Sequence, residues 1–142
     1  MLNSGISQMN SFSGHIVKIK TVGPLSMVAV SLSGGVEISA IVLETQGSAS
    51  YLQEGNPISV LFKETEVILA TGPTEKIGIQ NRIPGRILKL EAGDLLSKVL
   101  LETPLGRLEA IMASGEYKSL GLAVGDQATA LIKINEVMLS AL

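Results

Sequence analysis

The sequence has no cysteine, no tryptophan, one histidine (His15) and few other aromatic residues: Phe12, Phe62, Tyr51 and Tyr117. Without cysteine there are no disulfides, no thiolate nucleophile and no zinc–thiolate site. A single histidine leaves Ser-His-Asp chemistry and multi-histidine metal sites almost nothing to work with. Charge is also scarce, at 17% of residues against the usual ~25%. The 11 Lys and Arg nearly balance the 13 Asp and Glu, for a net charge of -2. A nucleic-acid binder would show a basic stripe, and none is present. No apolar run approaches the roughly 18 residues of a membrane-spanning helix. The first basic residue is Lys18, so no charged segment precedes an apolar stretch as in a secretory signal. These absences lead to the expectation of a soluble cytoplasmic protein without direct contact to membrane or nucleic acid. What the chain does have is apolar residues: 46% of its 142 positions, which excludes intrinsic disorder. So few charges on so small a surface point to subunit interfaces.

The strongest pattern is an internal repeat. At a shift of about 71 residues, Ile6 meets Ile77, Asn10 meets Asn81, Gly14 meets Gly85, Ile16 meets Ile87 and Lys18 meets Lys89. Leu25-Ser26 falls on Leu96-Ser97 and Val28 on Val99. One residue is lost near Gly35 and Gly106. Ala40-Ile41 then falls on Ala110-Ile111, Leu52 on Leu122 and Gly55 on Gly125. The ends match as well: Leu61-Phe62-Lys63 with Leu131-Ile132-Lys133, and Glu66-Val67-Ile68-Leu69 with Glu136-Val137-Met138-Leu139. Thr71-Gly72-Pro73-Thr74-Glu75-Lys76 is a breaker-rich join. The expected domains are 5–71 and 76–142, with 72–75 as linker. Halves this short bury too little surface to be stable alone, so they should pack on each other or on another chain.

Within each half the hydrophobic period is two, the signature of strands. In His15–Lys20, Val17 and Ile19 are expected to face inward, and Arg86–Glu91 repeats the pattern. Val28, Val30 and Leu32 form a second inward set, matched by Val99 and Leu101. Ser33-Gly34-Gly35 reads as a hairpin turn, with Thr103-Pro104-Leu105-Gly106 as its counterpart. Third strands are expected over Val36–Leu43 and Leu108–Met112. The stretches that follow, Glu44–Leu52 and Ser114–Leu120, each suit one short capped helix. Two last strands close each half: Ile58–Lys63 with Glu66–Ala70, and Ala128–Lys133 with Glu136–Ser140. The class is therefore all-β: two OB-like five-stranded barrels in tandem, each with one short helix.

Catalytic patterns are missing. There is no phosphate-cradling Gly-rich loop and no HExxH. His15 sits on an alternating strand and reads as solvent-facing. Glu66 and Glu136 lie beside tight turns, where a solvated charge is the ordinary outcome. An OB barrel can hold single-stranded nucleic acid, but only with stacking aromatics and a basic groove. What recurs instead is hydroxyls, amides and lysines. Lys63 and Lys133 end the fourth strands. Ser7 and Asn10 precede the first strand, and Asn81 precedes its equivalent. Thr45, Gly47 and Ser48 begin one expected helix, and Ser114 and Gly115 the other. Unpaired N–H groups and a helix dipole attract anions. One lysine with several neutral donors suits a small dianion.

Ile6-Ser7-Gln8-Met9-Asn10 followed by Gly14-His15-Ile16-Val17 resembles the opening of the molybdenum-binding Mop (TOBE) domains, roughly Ser-Ala-Arg-Asn and then a Gly at the first strand. Ile77-Gly78-Ile79-Gln80-Asn81 with Gly85 is a weaker second copy. Leu120-Gly121-Leu122-Ala123-Val124-Gly125 fits the family's Leu-Gly-Leu-x-x-Gly, and Tyr51–Gly55 is its looser form. The resemblance covers nearly the whole chain as a tandem arrangement. It implies molybdate or tungstate as bound ligand, with no organic cofactor and no metal held directly by protein atoms. It also implies dimers or trimers, with the oxyanion at interfaces between domains. Carried over by position, the oxyanion-binding residues are Ser7, Met9, Asn10, Thr45, Gly47, Ser48 and Lys63 in the first repeat. In the second they are Gly78, Gln80, Asn81, Ser114, Gly115 and Lys133. The motif arginine is absent from both copies (Met9 and Gln80). The motif serine is Gly78 in the second, which makes the second site the weaker expectation. The implied function is non-catalytic: intracellular storage, buffering or sensing of molybdate or tungstate. The alternative is the oxyanion-sensing or interaction module of a transcriptional regulator or transporter ATPase, with decayed sites.

Overall fold

A computed structural model describes residues 8–142. The first repeat forms β1 (Met9–Val22), β2 (Leu25–Ser31), β3 (Glu37–Val42), β4 (Pro57–Lys63) and β5 (Ile68–Ala70). The second forms β6 (Asn81–Glu91), β7 (Leu96–Thr103), β8 (Gly106–Ala113), the helix α1 (Ser114–Leu120), β9 (Gln127–Ile132) and β10 (Met138–Ala141). Short 3-10 turns at Glu64–Glu66 and Ile134–Glu136 link the last two strands of each repeat.

The strands build two five-stranded antiparallel sheets, in the orders β10-β4-β1-β2-β3 and β5-β9-β6-β7-β8. Each repeat thus supplies four strands of its own barrel and the fifth strand of the other. Leu69 of β5 lies opposite Ala130 of β9, and Leu139 of β10 lies opposite Val60 of β4. Sequence periodicity finds these strands but not their exchange, because β5 and β10 are interchangeable in pattern. The repeats are separate in sequence and interlocked in space.

The first strands depart from simple alternation. Ile16 pairs with Val30 and Lys18 with Ala29, so Val17 is an extra residue in a β-bulge. The same shift occurs between Ile87 and Lys89. The bulge turns the strand over: Ile16 and Ile87 are the buried residues, while Val17 is exposed. This corrects the inward assignment of Val17. Gly14 and Gly85 sit beside the bulges because the neighbouring strand comes too close for a side chain. A Cβ on Gly14 would lie 2.1 Å from the Ser31 carbonyl oxygen, and one on Gly85 2.8 Å from that of Glu102.

Among the described residues, only the second repeat carries an α-helix. Its counterpart is a run of turns, with Thr45 and Ser48 bonded to each other: the Thr45 N–H donates to Ser48 Oγ at 2.8 Å, and the Ser48 N–H to the Thr45 carbonyl at 3.0 Å. Such side-chain bonds compete with helix formation. This corrects the expectation of a helix in each barrel. One apolar core runs through both repeats, with Ile16, Val28, Val30, Ile58, Val60 and Phe62 continuous with Ile83, Ile87, Val99, Leu101, Leu108 and Ile132.

Candidate oxyanion-binding site

The two repeats are clamped by a pair of buried asparagines. Asn81 accepts from the Ser39 N–H (2.8 Å) and donates to the Ser39 carbonyl (2.9 Å). Asn10 does the same to Glu109, at 2.9 Å in both directions. Ser39 and Glu109 are equivalent positions of β3 and β8, so the clamp is pseudo-symmetric. An asparagine amide carries a donor and an acceptor, which suits it to bridge one residue's N–H and C=O. Asn10 and Asn81, expected from sequence near the oxyanion, thus bridge the two repeats.

Around Asn81 the structure gathers part of the sequence-derived set. Gly78, Ile79, Gln80, Arg82, Lys133 and Ile134 line a cavity of about 520 Å³. Gln80 Nε2 donates to the Ser39 Oγ at 3.1 Å, so the cavity borders the first repeat. Lys133 is exposed at its rim, at the end of β9. In the first repeat, Met9 and Lys63 are direct cross-strand partners on β1 and β4, and Lys63 is exposed. Ser7 lies outside the described residues.

The hydroxyl stretches after the third strands do not join this cavity. Ser114 is buried; its Oγ donates to the Gly93 carbonyl (2.7 Å) and lies 2.8 Å from Ser97 Oγ. It fastens α1 to the β6–β7 connection, and its hydroxyl is not available to an anion. Gly115 lies exposed in the helix's first turn, its carbonyl accepting from Ser119 Oγ. Thr45 and Ser48 are satisfied by each other, with the exposed Gly47 between them.

Sequence reasoning missed Arg82. Its Nε donates to the Ile79 carbonyl at 2.9 Å and its Nη2 to the Ile77 carbonyl at 2.6 Å. The guanidinium is thereby folded back onto the turn that carries the motif. Its counterpart in the first repeat is Ser11, so matching the repeats passed over it. Two other cavities lack this character. One of about 690 Å³, between β5, β8 and α1, is mostly apolar, with Glu116 its only charged residue. One of about 540 Å³ sets Glu102 against Arg86.

A charged cluster lies across the opposite inter-repeat contact. Lys98 Nζ is 3.0 Å from Glu109 Oε2 and 3.4 Å from Glu64 Oε1. Glu64 is buried, and its Oε1 has no hydrogen-bond partner. Burial, reinforced by a hydrogen bond and charge repulsion from Glu109, pushes its carboxyl up to about 7 against the opposing pull of Lys98. For Lys98, burial works to lower the ammonium, but Glu109 and Glu64 outweigh it and raise it. The equivalent positions in the other contact are Ile134, Met27 and Ser39, which carry no charge. Elsewhere, burial and the bond to Glu44 push the Tyr51 phenol up to about 12. Among the described residues, no group of three His, Cys, Asp or Glu could hold a metal ion, and no helix is long and apolar enough to cross a membrane.

These features define a tandem OB-like protein whose repeats are joined by exchanged strands. Residues 78–139 match the TOBE domain family. The chain is 28% identical over 135 residues to the molybdenum transport protein ModE of Azotobacter vinelandii, covering 94% of this chain and 50% of ModE. It is 26% identical over 136 residues to the molybdenum-pterin-binding protein MopB of Rhodobacter capsulatus, covering 94% and 50%. The chain thus spans about half the length of the curated relatives it matches. Its fold superposes on the crystal structure of the cytoplasmic molybdate-binding protein ModG with molybdate bound. That match has a TM-score of 0.86 and 25% identity, and covers 94% of this chain and 96% of ModG.

Proposed function

We propose that this chain binds molybdate or tungstate, without catalysis, as a cytoplasmic store, buffer or sensor. The carrying observation is the cavity that unites Gly78, Gln80 and Lys133, in a chain similar along nearly its whole length to a protein solved with molybdate bound. A tetrahedral dianion offers only acceptors, so charged donors on a backbone turn can hold it. Met9 and Lys63 form the corresponding edge in the first repeat. The working units are the repeats 5–71 and 76–142, and the protein acts as a homodimer or homotrimer. Exposed Leu43 and Leu95 (78% and 84%) supply apolar surface for such contacts. Isothermal titration with molybdate, tungstate and sulfate tests the reading. Saturable heat with the first two and none with sulfate is expected; no heat with either would sink it.

A second reading is supported by the half-length match to ModE: the chain serves as the oxyanion-sensing part of a larger assembly. Molybdate-dependent capture of a DNA-binding or ATPase partner on addition of each purified candidate would favour it over storage.

A further inference from the structure

We infer that Arg82 gives the second repeat the stronger of the two oxyanion sites and is its main affinity-determining residue. This rests on the oxyanion reading above, and it reverses the expectation drawn from the loss of the motif serine at Gly78.

The first ground is charge. The second-repeat cavity carries Arg82 and Lys133 and no carboxylate. Carrying each position back to the first repeat, Lys133 becomes Lys63, Arg82 becomes Ser11 and Ile134 becomes Glu64. The equivalent first-repeat positions therefore offer one cation, Lys63, next in sequence to a buried acid already shared with Lys98 and Glu109. Two cations match a dianion's charge, whereas one leaves half of it uncompensated.

The second ground is geometry. Arg82 is held by two backbone carbonyls of the Ile77–Ile79 turn. A guanidinium has five N–H donors in a rigid plane. Two groups of donors are spent on the turn, and the remaining ones stay available beside Gly78 and Gln80. Holding the fork in place beforehand reduces the side-chain entropy lost on binding. Arginine also presents parallel donors to two oxygens of one anion, which a lysine cannot do. The missing motif arginine is thus replaced in function from two positions further along the chain.

Native mass spectrometry and titration of the full chain with molybdate and sulfate test this. Four variants serve: Arg82→Ala, Arg82→Lys, Lys133→Ala and Lys63→Ala. Arg82 is exposed, and circular dichroism checks that each variant is folded. The expected result is that Arg82→Ala weakens the tightest molybdate sites at least tenfold. Arg82→Lys should recover part of that loss, and Lys63→Ala should leave those sites intact. Unchanged affinity in Arg82→Ala overturns the inference while leaving the oxyanion reading in place. So does an equal loss in Lys63→Ala. Absence of molybdate and tungstate binding in the unaltered chain overturns both.

Discussion

Replacing Glu64 by Gln removes one ionisable group and almost no volume from the inter-repeat contact. In the folded chain this carboxyl loses its proton near pH 7, against 4.5 for an ordinary glutamate. The unfolded chain therefore releases the proton first as pH rises. Between about 4.5 and 7 the folded state holds more protons, so this group's contribution to stability falls with rising pH and is flat above. Moving the carboxyl from 4.5 to about 7 corresponds to at most about 3.4 kcal/mol. Its partners Lys98 and Glu109 have side chains 15% and 29% exposed, and solvent screening lowers that to about 1–3 kcal/mol. The raised Lys98 titrates above 10.5 and does not enter this window. A glutamine amide can donate toward Glu109 as a protonated Glu64 does. Glu64→Gln should therefore be more stable than the parent by about 1–3 kcal/mol at pH 8.5 and by less than half of that at pH 5.5. The chain has no tryptophan, so urea unfolding followed by far-ultraviolet circular dichroism at the two pH values is the suitable assay. The same stability difference at both pH values would refute the reasoning.

Lys98→Met copies the Met27 of the other contact and leaves Glu64 and Glu109 without their shared cation. It should cost about 3–5 kcal/mol at pH 8.5 and less at pH 5.5, where Glu64 takes a proton, as read from the same urea curves. Asn81→Ala orphans the Ser39 N–H and carbonyl, for about 2–4 kcal/mol. Asn10→Ala should cost less, since its two bonds are only part-buried; thermal melting ranks the two. Gly14→Ala, with its Cβ 2.1 Å from a backbone oxygen, should cost at least about 3 kcal/mol. Gly85→Ala, at 2.8 Å, should cost about 1–3 kcal/mol by urea unfolding.

Strand content and the duplication were legible in the sequence because both rest on short-range pattern. Val28, Val30, Val99 and Leu101 are all fully buried, as their alternation implied. The bulges at Val17 and Leu88 were not legible, since an inserted residue looks like one more apolar position. Nor was the turn at Thr45, whose hydroxyl bonds to Ser48 replace a helix. At the site, repeat matching singled out Lys133, whereas Gly78 and Gln80 came only from the resemblance to the Mop family. Repeat matching also singled out Asn10 and Asn81. A repeated residue is equally well explained by a repeated joint, and their partners, Ser39 and Glu109, lie in the other repeat. Arg82 escaped because it breaks the symmetry.

The exchange of β5 and β10 has a consequence for how the molecule comes apart. A cut in the linker between β5 and β6 would not release two pieces. Each half would still hold the other's last strand in its sheet, like two links of a chain after the connecting thread is cut. Separation requires β5 to peel from β9 and β10 from β4, so nicked protein should travel as one particle until denatured. Made separately, each half would present a bare sheet edge and a homeless fifth strand. Mixed together, the two halves carry what is needed to restore the whole.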